Sequence, residues 1–280
     1  MSRPTPRHTL AHLSDLHLTG DGSGVGGVVE PRERLEAALA VLTSWRLPVD
    51  AWVFSGDLSD DGSPASYAWL HDRVADAAAQ VGAAVVWGNG NHDEVGAFRA
   101  GLGLRGWAAV NTETFVRGLR ILTVDSNLAG VPEGLVTVQT LAWLDGRLDA
   151  AAPAGTVLVV HHAPVPQPQD AAHLWPLLNA DALAEVVRGR DVRVILSGHF
   201  HQTGFGTLAG VPVAMATSLA YTQDVGVSPD LRGQAAHTGF NLVELYDSSV
   251  VVTAVPLDPG VGVHEVLTSE DVRGRLAFED

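Results

Sequence analysis

The sequence predicts a single α/β domain, and three observations lead there. Strand-like apolar runs alternate with helix-like amphipathic runs over most of the chain. No composition shift, internal repeat or low-complexity tract divides its 280 residues. Five of the apolar runs end in short polar stretches rich in His, Asp and Asn, and the carboxyl edge of an α/β sheet is where ligands bind.

In chain order, Thr9–Leu13 reads as a strand that ends at Ser14-Asp15-Leu16-His17. The Gly-rich stretch Gly20–Gly27 lacks the Gly-Lys-Ser/Thr ending of a phosphate-cradling loop and reads as surface loop. Pro31 starts a helix to about Trp45, with Leu35, Ala38, Leu39 and Leu42 at helical spacing. Ala51–Phe54 is a strand ending at Ser55-Gly56-Asp57. Ser63-Pro64 opens a second helix by the N-cap and first-turn proline rule, and Gly82 stops it. The strand Ala83–Trp87 leads into Gly90-Asn91-His92-Asp93, and residues 95–114 carry no assignable pattern. Then come a strand at Leu119–Val124, a helix at Thr137–Leu148 and a strand at Thr156–Val160 that ends at His161-His162. A helix at Asp181–Val187 follows, and then a strand at Val192–Leu196 that ends at Gly198-His199-Phe200-His201. Phe205–Val255 reads as short strands, irregular over Ser218–Thr238, and a short helix is expected at Ser269–Arg275.

Composition narrows the function. The formal net charge of -15 argues against a nucleic-acid duplex or an anionic membrane as partner, since both need a basic surface. No apolar run is long enough for a transmembrane segment, and the N-terminus lacks the pattern of a signal peptide, so a cytoplasmic location is expected. With no Cys, any metal must be held by His, Asp, Glu or Asn.

Asp15, His17, Asp57, Asn91, His161, His199 and His201 are seven oxygen or nitrogen donors from five strand ends. Seven is too many for one tetrahedral zinc. The number suits two metals roughly 3.5 to 4 Å apart with one bridging carboxylate. Mixed carboxylate and imidazole donors suit iron, manganese or zinc better than magnesium or calcium. Taken singly, Asp-Leu-His and Gly-Asp are ordinary turn chemistry. His199 and His201 alternate, so on an extended segment their side chains point the same way.

The series Asp15-x-His17, Gly56-Asp57, Gly90-Asn91-His92-Asp93, His161 and Gly198-x-His201 resembles the calcineurin-like metallophosphoesterases. Within them it is most similar to the bacterial class III cyclic-nucleotide phosphodiesterases, with Ser55–Asp60, His161-His162 and Tyr221-Thr222-Gln223-Asp224 in support. Two positions depart from the family pattern. Ala163 replaces a proline after the paired histidines. Gly88-Asn89 stands where a proline usually precedes Gly-Asn-His, which is expected to loosen that turn.

The resemblance implies a four-layer α/β/β/α sandwich over residues 1–256, with 257–280 as a tail, and a dinuclear centre of iron or manganese, or of zinc. Asp15, His17, Asp57 and His201 would hold one metal; Asp57, Asn91, His161 and His199 would hold the other. His162 would support from behind. His92, near the metals but not bound, is expected to be the general acid, oriented by Asp60. Asp93 is the alternative orienting group, or a helix N-cap. Asn91, His92, His17 and His201 are expected to face the substrate. That substrate is a small phosphodiester, a 3′,5′-cyclic nucleotide such as cyclic AMP before a glycerophosphodiester; a silent binding protein is the third reading. Residues 218–280 are expected to form a homodimer contact or to cover the pocket. His8, His12, His71, His173, His237 and His264 have no motif partner, and Trp175 and Phe200 read as packing residues.

Overall fold

A computed structural model describes residues 3–104, 110–258, 260 and 267–276. Its strands are β1 (His8–Leu13), β2 (Ala51–Ser55), β3 (Ala84–Gly88), β4 (Thr112–Val116), β5 (Leu119–Val124), β6 (Thr156–His162), β7 (Val192–Gly198), β8 (Gly204–Leu208), β9 (Val211–Met215), β10 (Thr222–Gln223), β11 (Gly233–Gln234), β12 (Gly239–Leu245) and β13 (Val250–Pro256). Its helices are α1 (Pro31–Ser44), α2 (Pro64–Val81), α3 (Val95–Gly101), α4 (Val138–Leu148), α5 (Ala180–Val187) and α6 (Ser269–Leu276).

Two main sheets form. One runs β13-β12-β1-β2-β3 and the other β4-β5-β6-β7-β9-β8, with β10 and β11 as a separate small hairpin. β1, β2 and β3 are parallel, as are β5, β6 and β7, so six carboxyl ends are gathered along one edge. The inner faces meet through Leu10, Val53, Val86, Ile121, Val159, Leu196 and Val243. Helices α1 and α2 cover the outer face of the first sheet through Leu35, Leu39, Tyr67 and Leu70, which pack on Trp52 and Phe54. Leu144 and Leu148 of α4 and Leu183 and Val187 of α5 cover the second. The helix–sheet–sheet–helix order is the expected sandwich. The central strands β1, β2, β5, β6 and β7 are buried on both faces because each sheet is covered on both sides there.

Local chemistry explains the helix bounds. Ser63 accepts from the Ser66 N–H, Pro64 supplies the first turn of α2, and Gly82 ends it at φ 72°. The stretch 95–114, unassigned from sequence, holds two elements. The Glu94 side chain caps α3 by accepting from the Gly96 and Ala97 N–H groups. β4 is an edge strand whose inward and outward residues alternate. The tail carries α6, which begins at Ser269.

Candidate metal centre

Every donor singled out in the sequence arrives at the gathered strand edge. Asp15 and His17 follow β1, Asp57 follows β2, Asn91 and His92 follow β3, His161 lies at the end of β6, and His199 and His201 follow β7. The backbone there is strained. Asp15, His17, Asp57, His199 and His201 have φ of 53°, 49°, 50°, 74° and 50°. They are five of the eight non-glycine residues with positive φ among those described. Such conformations cost roughly 1–3 kcal/mol each and persist where surrounding structure enforces them. That structure includes the Leu16 and His17 N–H groups, both donating to the Asp57 carbonyl.

Among the described residues three groups of donor atoms form, each with its atoms within 4.8 Å of one another. Two of them, Asp15, His17, Asp57 and His201, and Asp57, His161 and His199, share Asp57; the third joins His17, Asp60 and the exposed His92. Asn91 joins the second group, its Oδ1 lying 3.2 Å from His161 Nε2 and 3.0 Å from His199 Nδ1.

The hydrogen bonds fix what these atoms can do. Each imidazole has an acceptor on its outer nitrogen. His17 Nδ1 is 2.8 Å from Asp60 Oδ1, His201 Nδ1 is 2.9 Å from the Tyr221 carbonyl, His161 Nδ1 is 2.9 Å from the Ser55 carbonyl and His199 Nε2 is 2.9 Å from the Trp175 carbonyl. In the neutral ring that places the proton outside and a bare lone pair inside. The inner atoms then face only one another. His17 Nε2 and His201 Nε2 are 3.1 Å apart, and His161 Nε2 is 3.3 Å from Asp57 Oδ2.

Acceptors packed against acceptors need a positive charge between them. Protons could supply part of it. Burial opposes a charge on His161, but Asp57, with Asp15 and the Ser55 carbonyl, outweighs burial and raises it to about 9. Burial drives His201 down to about 4, and drives His199 well below the usual imidazole range. Protons therefore satisfy only some of the set. Metal cations satisfy all of it without ionising buried rings, so these residues fit a dinuclear centre.

The neighbouring histidines divide cleanly. His162 is buried, with Nδ1 2.8 Å from Ser126 Oγ and Nε2 3.0 Å from the Pro132 carbonyl, so both nitrogens are engaged elsewhere. His92 is exposed, and its ring stands edge-on to His17 at 4.8 Å between centroids. Its Nδ1 lies 3.1 Å from the Asp60 carbonyl oxygen and 3.6 Å from the Asp60 carboxylate.

Three details differ from the sequence reading. The Asp60 carboxylate makes its close contact with His17, and Asp60 meets His92 chiefly through its backbone. Asp93 neither orients His92 nor caps a helix, because Glu94 takes the cap. The buried Asp93 carboxylate instead accepts from the Leu58, Ser59 and Gly90 N–H groups and from the Tyr67 hydroxyl. It locks the loop after β2 to the loop after β3, while burial and the nearby Asp57 charge lift it to about 6. The turn at Gly88-Asn89 is pinned rather than loose, since Asn89 Nδ2 donates to Asp125 Oδ1 at 3.0 Å. Phe200 packs with Ala163, Ala172 and Met215, whereas Trp175 is 38% exposed at the rim. His264 lies outside the described residues.

Comparison with known proteins agrees with this geometry. The sequence profile of the calcineurin-like phosphoesterases matches residues 8–203. The chain belongs to that family. It is 40% identical over 98% of its length to a probable cyclic nucleotide phosphodiesterase of Rhodococcus erythropolis, covering 92% of that protein. It is 38% identical over 98% of its length to a cAMP/cGMP dual specificity phosphodiesterase of Mycobacterium tuberculosis, covering 87% of it. Among solved structures, the Plasmodium protein GAP50, an anchor in the inner membrane complex, superposes with a TM-score of 0.61. That match covers 98% of this chain and 95% of the other at 15% identity, and supports the fold alone. As a member of this family, the chain is a metal-dependent phosphodiesterase. No helix among the described residues is long and apolar enough to cross a membrane.

Proposed function

We propose that this phosphodiesterase hydrolyses 3′,5′-cyclic nucleotides, cyclic AMP among them, to nucleoside monophosphates. The observation that carries the chemistry is Asp57, shared by two groups of inward-facing donors. The names of the two relatives support the choice of substrate.

Asp15, His17, Asp57 and His201 would hold one metal, and Asp57, Asn91, His161 and His199 the other. Iron and manganese suit that mixed set. Metals bound there lower the pKa of water toward neutrality and offset charge on phosphate oxygens. The protein's own groups do the rest. Asp60 and the carbonyls of Ser55, Trp175 and Tyr221 fix the tautomers of the four liganding rings. Asn91, His17 and His201 face the phosphate from the metal side. His92, open to solvent, gives a proton to the departing sugar oxygen. In its imidazolium form Nδ1–H stays on the Asp60 carbonyl and the proton leaves from Nε2, with the Asp60 carboxylate near enough to support the charge.

The test is a steady-state panel of cyclic AMP, cyclic GMP, 2′,3′-cyclic AMP, glycerophosphocholine and bis-p-nitrophenyl phosphate, with Mn²⁺ and after chelation. The highest kcat/KM is expected for a 3′,5′-cyclic nucleotide, and chelation should abolish turnover. Preference for glycerophosphocholine would overturn the substrate assignment. The reading also includes a cytoplasmic, homodimeric protein, which cell fractionation and light scattering on the full chain would check.

A further inference from the structure

We infer that Tyr221 is a substrate-contacting residue, whose hydroxyl donates a hydrogen bond to a phosphate oxygen of the bound diester. The inference rests on the phosphodiester chemistry above, but not on which diester is the substrate.

Tyr221 lies beyond the stretch that the family profile matches. The segment 218–223 is nevertheless fastened to the metal loops. Ser218 Oγ donates to the Asp15 carbonyl at 2.7 Å, and the Ala220 N–H donates to the same oxygen at 3.2 Å. The Gln223 N–H donates to the His201 carbonyl at 3.0 Å, and the Tyr221 carbonyl accepts from His201 Nδ1. These bonds fix the backbone of Tyr221 at the donors of the first metal group.

The ring is fixed as well. Its centroid is 4.3 Å from that of His201 and 5.6 Å from that of His17. Gly233 of β11 closes the other side, where a Cβ would stand 3.2 Å from Tyr221 Cδ2. Glycine there lets the small hairpin lie flat against the ring. Tyr221 and His92 thus both flank His17.

The hydroxyl is the part that this packing leaves unexplained. Tyr221 is only half-buried, and its oxygen has no hydrogen-bond partner among the described residues. A tyrosine whose ring is held on two sides and whose hydroxyl is free is equipped to meet a ligand. An ordinary phenol keeps its proton at neutral pH, so it acts as a donor toward an anion. Phosphate oxygens are the anions a dinuclear centre in this family brings to that place.

Tyr221→Phe keeps the ring and the carbonyl that holds His201, and removes only the hydroxyl. Metal content per chain should stay at the wild-type value. Binding of inorganic phosphate to the metal-loaded protein, followed by calorimetry, should weaken by about 10- to 100-fold, and kcat/KM on bis-p-nitrophenyl phosphate should fall similarly. Wild-type phosphate affinity and rates in the variant would overturn the inference. Loss of metal would overturn it too, since it would make the residue a support for the ligands. If the wild type ignores cyclic nucleotides but Tyr221→Phe still weakens phosphate binding, the inference stands and the substrate assignment falls.

Discussion

Gly90 passes so close to Asp57 that a Cβ on Gly90 would overlap both the carboxylate and the backbone nitrogen of Asp57. The loop after β3 can deliver Asn91 and His92 only because this position has no side chain. The His92 N–H then donates to Asp57 Oδ1 at 2.9 Å, tying the shared carboxylate to the neighbouring motif. Gly90→Ala should therefore push Asp57 out of place. Metal per chain should drop below the wild-type value, and kcat/KM should fall by about 10²-fold, as a misplacement of about 1 Å can cause. Metal analysis with wild-type stoichiometry and rate would show that the close approach is not needed.

Removing the carboxylate itself is the stronger test of sharing. Asp57→Ala takes a donor from both groups at once, so metal content should fall well below two per chain. Activity should drop by on the order of 10³-fold or more. Two tightly bound metals in this variant, measured by elemental analysis after gel filtration, would rule out the dinuclear arrangement.

His92 is testable through the leaving group. General acid catalysis is worth roughly 10² to 10⁴ in rate. A sugar alkoxide needs the proton, whereas p-nitrophenolate departs without one. His92→Ala should keep both metals and lose far more activity toward cyclic AMP than toward bis-p-nitrophenyl phosphate. Equal losses on the two substrates would point to phosphate binding instead of proton donation.

A fourth prediction concerns pH and stability. His12 is fully buried in β1, with Nε2 2.9 Å from Ser55 Oγ, and burial pushes its pKa down to about 3. An unfolded chain binds that proton near pH 6.5, so the unfolded state carries more protons between pH 6.5 and 3. Stability is thus complete above about pH 6.5 and is lost as pH falls through that window, by roughly 5 kcal/mol at the full extent. His12→Gln should flatten this acid slope, leaving the parts contributed by other buried groups. Urea midpoints at pH 8, 6 and 4.5, with the two proteins at equal metal loading, would show it. An unchanged slope would mean that His12 is not the titrating group.

The parts legible in the sequence were those that local pattern determines. Fully buried strands appear as apolar runs, and the polar residues that follow them mark the sheet edge. α3 stayed hidden because it spans only Val95–Gly101 and is capped by a Glu side chain, a weak signal. β4 stayed hidden because an edge strand such as Thr112–Val116 is half polar. At the site, the donor set could be read but the partners of Asp60 could not. Its carboxylate serves His17 while its carbonyl serves His92, and no spacing rule separates the two ends of one residue. The positive φ at five donors depends on tertiary structure, where sequence pattern is silent, and the Tyr221–Asp224 stretch shows in the sequence only through the family resemblance, not through its contacts.

The clasp between residues 15 and 218 sets the order in which the centre can be finished. A nascent chain that has emerged only through residue 203 already carries every donor of both metal groups. It still lacks the Tyr221 carbonyl that holds the His201 ring and the Ser218 hydroxyl that holds the Asp15 loop. It also lacks β12, which pairs with β1 in register from His8↔Leu245 to His12↔Asn241. Closing contacts across some two hundred residues is slow compared with forming local ones. A chain cut short after residue 203 would carry the donors without the framework that aims them.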